Sequence, residues 1–272
     1  MMKWREECVR CLLDARIYDS FKGGATDKEL QFILSATVGS MQLPKSKAFR
    51  FSWKALKSVV GNVYALEKKR LLEETLSREL KVPQTFEEAL RMATLGNLYD
   101  TAVGGEYRLG KVKYGTLVTE GAEVLLNPAG TLVYAVDNLP ELPYDIMVAK
   151  YFKYMGWDVI LVAREEDYEI DATYPELAEV AQLLGWDGKL DSLPGDCTIF
   201  DPCEDAKRLR RESDLVFAKG LLNADAYVDY KPSEPAVLAY AAKCKPLAEA
   251  VGAEIGDGVV VLGEVLLRSF RR

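Results

Sequence analysis

The chain contains no histidine. That absence removes the Ser-His-Asp triad, the Cys-His pair and every His-ligated zinc site. Acid–base work falls to Asp, Glu, Lys, Tyr or Cys. A metal site has to be built from oxygen donors or from the five cysteines, and oxygen donors suit hard divalent ions such as Mg²⁺, Mn²⁺ or Ca²⁺. No apolar run is long enough to span a bilayer, and Met1-Met2-Lys3-Trp4-Arg5-Glu6-Glu7 lacks the apolar core of a secretory signal. The expectation is a soluble, cytoplasmic protein with no membrane partner. Basic charge is also short: a net charge of −7 speaks against a nucleic-acid partner. Neither GxGxxG nor a complete P-loop pattern occurs, which disfavours a standard nucleotide-binding loop.

Cysteine is sparse and unevenly placed. Cys8-Val9-Arg10-Cys11 is a CxxC with no second CxxC to complete a four-thiolate zinc site. It sits in a helical pattern and reads first as two buried small residues. A redox or metal pair joined by Cys244 is the alternative.

What is present divides into two grammars. Residues 1–100 read as a helical region, and residues 101–272 as an α/β domain carrying the chemistry. Thr26-Asp27-Lys28-Glu29 and Thr85-Phe86-Glu87-Glu88 are capping boxes that start helices. The stretch from Val63 to Leu80 is rich in helix formers, with Lys68, Lys69 and Arg70 as its solvated face. Mixed, Gly-containing residues from Val103 to Gly115 suggest a loop or hairpin between the halves. Beyond it, short strands are expected at Leu117-Val118, Val124–Leu126, Thr131–Val136, Val159–Val162, Thr198–Phe200, Leu215–Ala218 and Gly258–Leu262, and a helix over Ala236–Val251. Apolar strands alternating with helices imply a mostly parallel sheet covered on both faces. The fold class is therefore a three-layer α/β/α, Rossmann-like core preceded by a helical region.

In such sheets ligands bind beyond the carboxyl ends of the strands. The run to Val136 stops on Asp137-Asn138, followed by Glu141 and Asp145. Asp171 follows the next strand, and Lys219-Gly220 with Asn223 follows a third. Oxygen ligands at strand tips can hold one hard cation, and a lysine opposite is placed for a phosphate. Each residue has a plainer reading. Asp137-Asn138 and Lys219-Gly220 make ordinary turns, while Asp171 and Asp145 suit helix first turns.

Taken in order, these blocks resemble the DUF89 family of damage-control phosphatases, and the likeness covers nearly the whole chain. The blocks are the CxxC followed by Leu-Leu, Gly61-Asn62, Gly96-Asn97-Leu98-Tyr99-Asp100, Asp137-Asn138-x-x-Glu141-x-x-x-Asp145, Ile170-Asp171-Ala172-Thr173, Lys219-Gly220-x-x-Asn223 and Lys243-Cys244-x-Pro246. The resemblance implies a phosphatase dependent on a divalent metal ion (Mn, Mg, Co or Ni) and acting on a small-molecule phosphate ester, such as a sugar phosphate or nucleotide. It implies Asp137, Asn138 and Asp171 as metal ligands. It also implies Asp137, Lys219 and Glu141 as catalytic residues and Asn97, Asp100 and Asn223 as substrate-binding ones. Departures occur at Pro140, where the family has Gly, and at Ile170, where it has Asn. Two other functions stay open: an S-adenosylmethionine-dependent carboxyl methyltransferase and a non-catalytic phosphometabolite-binding protein. A metal-activated water and an aspartyl nucleophile at Asp137 are both compatible with the residues. Oligomeric state is not legible in the chain.

Overall fold

A computed structural model of the chain describes residues 4–95, 99–103, 106–111, 114–128 and 130–270, with backbone alone over 99–111. Five helices come first: α1 (Glu6–Lys22), α2 (Asp27–Ser40), α3 (Lys45–Val60), α4 (Ala65–Leu76) and α5 (Phe86–Leu95). The capping box is real at α2: the Thr26 hydroxyl accepts from the Glu29 N–H, and the Glu29 carboxylate accepts from the Thr26 N–H. Two orphan donors are satisfied at once. Ile33, Trp53, Leu56, Tyr64 and Leu71 form a small core for α2, α3 and α4, and Ile170, far along the chain, is buried in the same cluster. Strands β1 (Tyr99–Val103) and β2 (Glu106–Lys111) pair as an antiparallel hairpin.

The main sheet has seven strands: β3 (Leu117–Glu120), β4 (Thr131–Ala135), β5 (Asp158–Arg164), β6 (Lys189–Leu193), β7 (Leu215–Lys219), β8 (Ala236–Ala241) and β9 (Gly258–Leu262). Their order is β3-β9-β8-β7-β4-β5-β6. Strands β4 to β8 run parallel to one another; β9 is antiparallel to β8, and β3 follows β9. The connecting helices are α6 (Leu142–Met155), α7 (Tyr174–Leu183), α8 (Glu204–Glu212), α9 (Leu221–Tyr230), α10 (Lys245–Ala250) and α11 (Gly263–Ser269).

Strand alternation sorts side chains into two cores. Leu132 and Tyr134 of β4, Leu161 of β5 and Leu215 and Phe217 of β7 join the core shared with α5, α6 and α7. Val133, Ala135, Val162, Val216 and Ala218 join the opposite core with α8, α9, α10 and α11. The result is the expected three-layer α/β/α arrangement around a mostly parallel sheet.

Three expectations about elements need correction. Ala236–Val251 is not one helix: Ala236–Ala241 is β8, and only Lys245–Ala250 is helical. The six strand residues are all buried, so the run lacks polar alternation and its alanines imitate a helix. Thr198–Phe200 is a buried turn inside the loop closed by the Cys197–Cys203 disulfide, not a strand. Val124–Leu126 belongs to a short 3-10 turn. Strand β6, the edge strand Lys-Leu-Asp-Ser-Leu, is too polar to stand out in the sequence.

Phe217 is fully buried, with ring centroids 4.8 Å from Tyr134 and 5.6 Å from Phe152. Phe217→Ala is expected to lose about 3–5 kcal/mol of stability through lost burial and an unfilled cavity. Urea unfolding checks this; an unchanged midpoint would mean that the layer repacks without the ring.

Candidate active site

Four strand ends build the site. Asp137 and Asn138 follow β4, Asp171 follows β5 after a loop, Lys219-Gly220 ends β7, and Lys243 lies two residues past β8. The chain leaves β4 towards β5 on one side, while β7 lies on the other, so Asp137 stands where the direction of winding reverses.

Backbone bonds join the first two ends. Asn138 and Asp171 form an isolated antiparallel bridge. The Leu139 N–H donates to the Ile170 carbonyl at 2.9 Å, and the Ala172 N–H donates to the Asp137 carbonyl at 2.8 Å. Residues 33 positions apart in sequence are thereby held as neighbours. Thr173 and Glu176 cap α7 with another capping box, which fixes the chain just past Asp171. Gly220, at φ +81°, gives Asp137 its room: a Cβ there would come within 2.0 Å of Asp137 Oδ2. No residue with a side chain fits that position.

Beneath these residues lies a buried charge network. Lys219 Nζ is 2.6 Å from Glu141 Oε2 and 2.7 Å from Asp145 Oδ1, with all three side chains inaccessible to solvent. The Tyr134 hydroxyl donates to Asp145 Oδ1 at 2.8 Å, and the Asn138 amide nitrogen donates to Glu141. Burial works against the ammonium, but Asp145 and Glu141 more than offset it and keep Lys219 protonated. Lys219 therefore lies below the site, tied to it through Glu141 and Asn138. Asn223, also buried, donates its amide to the Lys219 carbonyl at 2.7 Å. Asn97 falls outside the described residues. Asp100 lies in β1, where only backbone is described.

Above the network is a cavity of about 550 Å³ lined by Asp137, Asn138, Asp171 and Lys243. Cys8 and Cys11 of α1, with Cys244, line it too. The CxxC is thus helical as expected, and its two thiols share the cavity with Cys244. Lys45, 4% exposed, lines the same space and is held by Asp225 at 2.5 Å.

Lys243, Lys45, Asp225 and Arg164 were not singled out for the site from sequence. A Lys in the Lys-Cys-x-Pro block was the available signal for Lys243. Arg164 lies beyond the strand expected at Val159–Val162, and no motif marks it. Lys68 is also corrected: it is 4% exposed rather than solvated, with Nζ 3.0 Å from Glu176 and 3.2 Å from the Asp171 carbonyl. Its neighbours Lys69 and Arg70 are exposed as expected.

The donor set can be tested against a metal ion. Among the described residues, no three His, Cys, Asp or Glu side chains converge on one point; the candidate donors are two carboxylates and one amide. Asp137 and Asp171 are both buried, and burial pushes both carboxyls up from their ordinary range, with Glu141 adding to the shift at Asp137. The Arg164 guanidinium counters this, lying against Asp171 and 3.8 Å from Asp137 Oδ1. The Asp171 oxygen that meets Arg164 is Oδ2. Two buried carboxylates beside an amide oxygen, at adjoining strand ends, are the all-oxygen donor set that a hard divalent cation takes.

Residues 17–259 match the model of the damage-control phosphatase ARMT1-like domain. The chain belongs to this family. A damage-control phosphatase of Archaeoglobus fulgidus is 25% identical over 199 residues, covering 66% of this chain and 66% of the relative. An uncharacterized protein of Methanocaldococcus jannaschii is 26% identical over 176 residues, covering 60% of this chain and 56% of the relative. The chain spans just under two thirds of the first of these curated relatives and little over half of the second. A crystal structure of a DUF89 family protein from Pyrococcus horikoshii superposes with a TM-score of 0.73 at 15% identity, covering 96% of this chain and 99% of that one. The two share the three-layer fold described above. No helix among the described residues is long and apolar enough to cross a membrane.

The buried network makes a stability prediction. Lys219→Met leaves Glu141 and Asp145 buried without their cation and is expected to cost about 3–5 kcal/mol. Adding Glu141→Gln and Asp145→Asn should recover most of that loss, because no uncompensated charge remains. Denaturant unfolding of the single and triple variants decides it; a triple variant no more stable than the single one would mean that the cost is packing and not charge.

Proposed function

We propose that the protein is a divalent-metal-dependent phosphatase acting on a small phosphate ester, with Asp137, Asn138 and Asp171 as the metal ligands. The observation that carries this reading is the pairing of two buried carboxylates and an amide, joined by the Asn138–Asp171 bridge, at the floor of a cavity that also holds Lys243. The family and the Archaeoglobus relative's name support the reaction class.

When bound there, a divalent cation would supply Lewis acidity to a phosphoryl oxygen. The chain's own residues do the rest. The Asn138 amide nitrogen is engaged by Glu141, which leaves the oxygen as the ligand end of that amide. Lys219 holds Glu141 in place from below. Lys243 is 6% exposed, lines the cavity and lies close enough to Asp137 to pull its carboxyl back down. Among the cations that line the cavity it is the one that acts on Asp137, which makes it the cation for the substrate phosphate, a role that the fully buried Lys219 serves only by positioning.

A screen of metal-stripped protein across phosphate esters and divalent ions tests the function. Turnover is expected only with metal restored. Asp171→Asn keeps the volume and removes a charge, so it is expected to raise the Mn²⁺ requirement strongly. Lys243→Ala is expected to leave Mn²⁺ affinity near parental while lowering kcat/KM by about 10²-fold, the scale for one lost electrostatic stabiliser. Activity indifferent to chelation would overturn the metal role, and ligand binding without turnover under any metal would replace the enzyme by a binding protein.

A further inference from the structure

The loop that delivers Asp171 runs from the end of β5 through Glu165 to Ile170, and α1, α3, the α3–α4 turn and α4 all grip it. Lys57 of α3 pairs with the Asp167 carboxylate. Asn62, in the Gly61-Asn62 turn, donates its amide to Asp167 and, at 3.0 Å, to the Glu169 carbonyl. Its oxygen accepts from the Tyr64 N–H at 2.8 Å. Arg16 of α1, with no exposed surface, reaches Glu169 Oε1 at 2.5 Å and the Tyr168 hydroxyl at 3.2 Å. Its guanidinium also lies 5.2 Å from the Trp53 ring centroid. Lys68 of α4 donates to the Asp171 carbonyl itself.

The backbone shows what this grip holds. Glu169 sits at φ 51°, one of two non-glycine residues at positive φ among the described residues. A left-handed non-glycine residue is uncommon and persists where its surroundings over-determine it. Here the carboxylate is fixed by Arg16, the carbonyl by Asn62, and the next side chain, Ile170, is buried in the core of α2, α3 and α4. Two residues after the turn comes Asp171.

We infer that Asn62, Lys68 and the Arg16–Glu169 pair are positioning residues for Asp171, so that the N-terminal helices set the geometry of the proposed metal centre and do more than cover it. This rests on the ligand assignment made above. It gives the Gly61-Asn62 block a role, and explains why Ile170 is apolar: at that position the side chain is an anchor in the helical core.

Two variants and a control test it. Asn62→Ala changes no charge. Lys68→Gln removes a cation near the site, so simple Coulomb attraction predicts tighter Mn²⁺ binding while loss of positioning predicts weaker. Lys22→Ala breaks a different link in the helical region, the Lys22–Glu67 pair between α1 and α4. Mn²⁺ titration by calorimetry, without substrate, is expected to show at least a tenfold higher Kd for Asn62→Ala and a higher Kd for Lys68→Gln, with Lys22→Ala unchanged. In metal-free protein, amide exchange of Ile170 to Ala172 should quicken at least tenfold in Asn62→Ala, while β4 amides stay as they were. If Asn62→Ala fails to fold, the direction of the Lys68→Gln shift still decides. Parental Mn²⁺ affinity in both variants, whatever their melting temperatures, would overturn the positioning role and leave the metal reading intact. A parent protein that binds no Mn²⁺ would instead remove the metal reading and this inference together.

Discussion

A lysine ammonium with no contact to water has to be compensated by carboxylates held at bonding distance, because an isolated buried charge is strongly unfavourable. Lys219 meets that demand with Glu141 and Asp145. The constraint reaches outward. Glu141 precedes α6 and Asp145 lies in its first turn, so α6 is held against the end of β7. Glu141 also takes the Asn138 amide, which fixes the residue after Asp137. A cluster hidden beneath the cavity thus sets the position of side chains that line it.

The same logic of buried charge runs through the layer above. Arg164 compensates Asp171 and lies near Asp137, Lys45 compensates Asp225, and Arg16 compensates Asp19 and Glu169. Lys45–Asp225 and Arg16–Glu169 join segments distant in sequence, Arg164–Asp171 ties the loop after β5 back to its strand, and Arg16–Asp19 lies within α1. Pairs of this kind need not add net stability, since desolvation offsets much of the attraction. They do make alternative arrangements costly, because any shift leaves a buried charge alone. That suits a site whose residues come from several strand ends.

The cavity joins hard and soft chemistry. Its floor carries oxygen donors and Lys243, while Cys8, Cys11 and Cys244 line other parts of it. Cys8 sits 3.8 Å from Lys45 Nζ, and burial pushes the Cys244 thiol up to about 12. A thiol so far above neutrality is a poor nucleophile and a reluctant ligand at ordinary pH.

The sequence by itself determined the fold class and placed Asp137, Asn138, Asp171 and Lys219 at strand ends. Both rest on local information: apolar runs, caps at Thr26 and Thr85, and the turn at Lys219-Gly220. It also ordered the family's blocks correctly. It misplaced β8, because a strand buried on both faces has no alternation to read. It took Lys68 for a surface lysine, because the charge run around it has the composition of a solvated face. The register of the Asn138–Asp171 bridge, the burial of Lys219 under Glu141, the arrival of Lys243 and three thiols at one cavity, and the grip of α1, α3 and α4 on the Asp167–Asp171 loop were decided by tertiary structure alone. Each depends on which distant residue fills the space opposite, and no spacing along the chain encodes that.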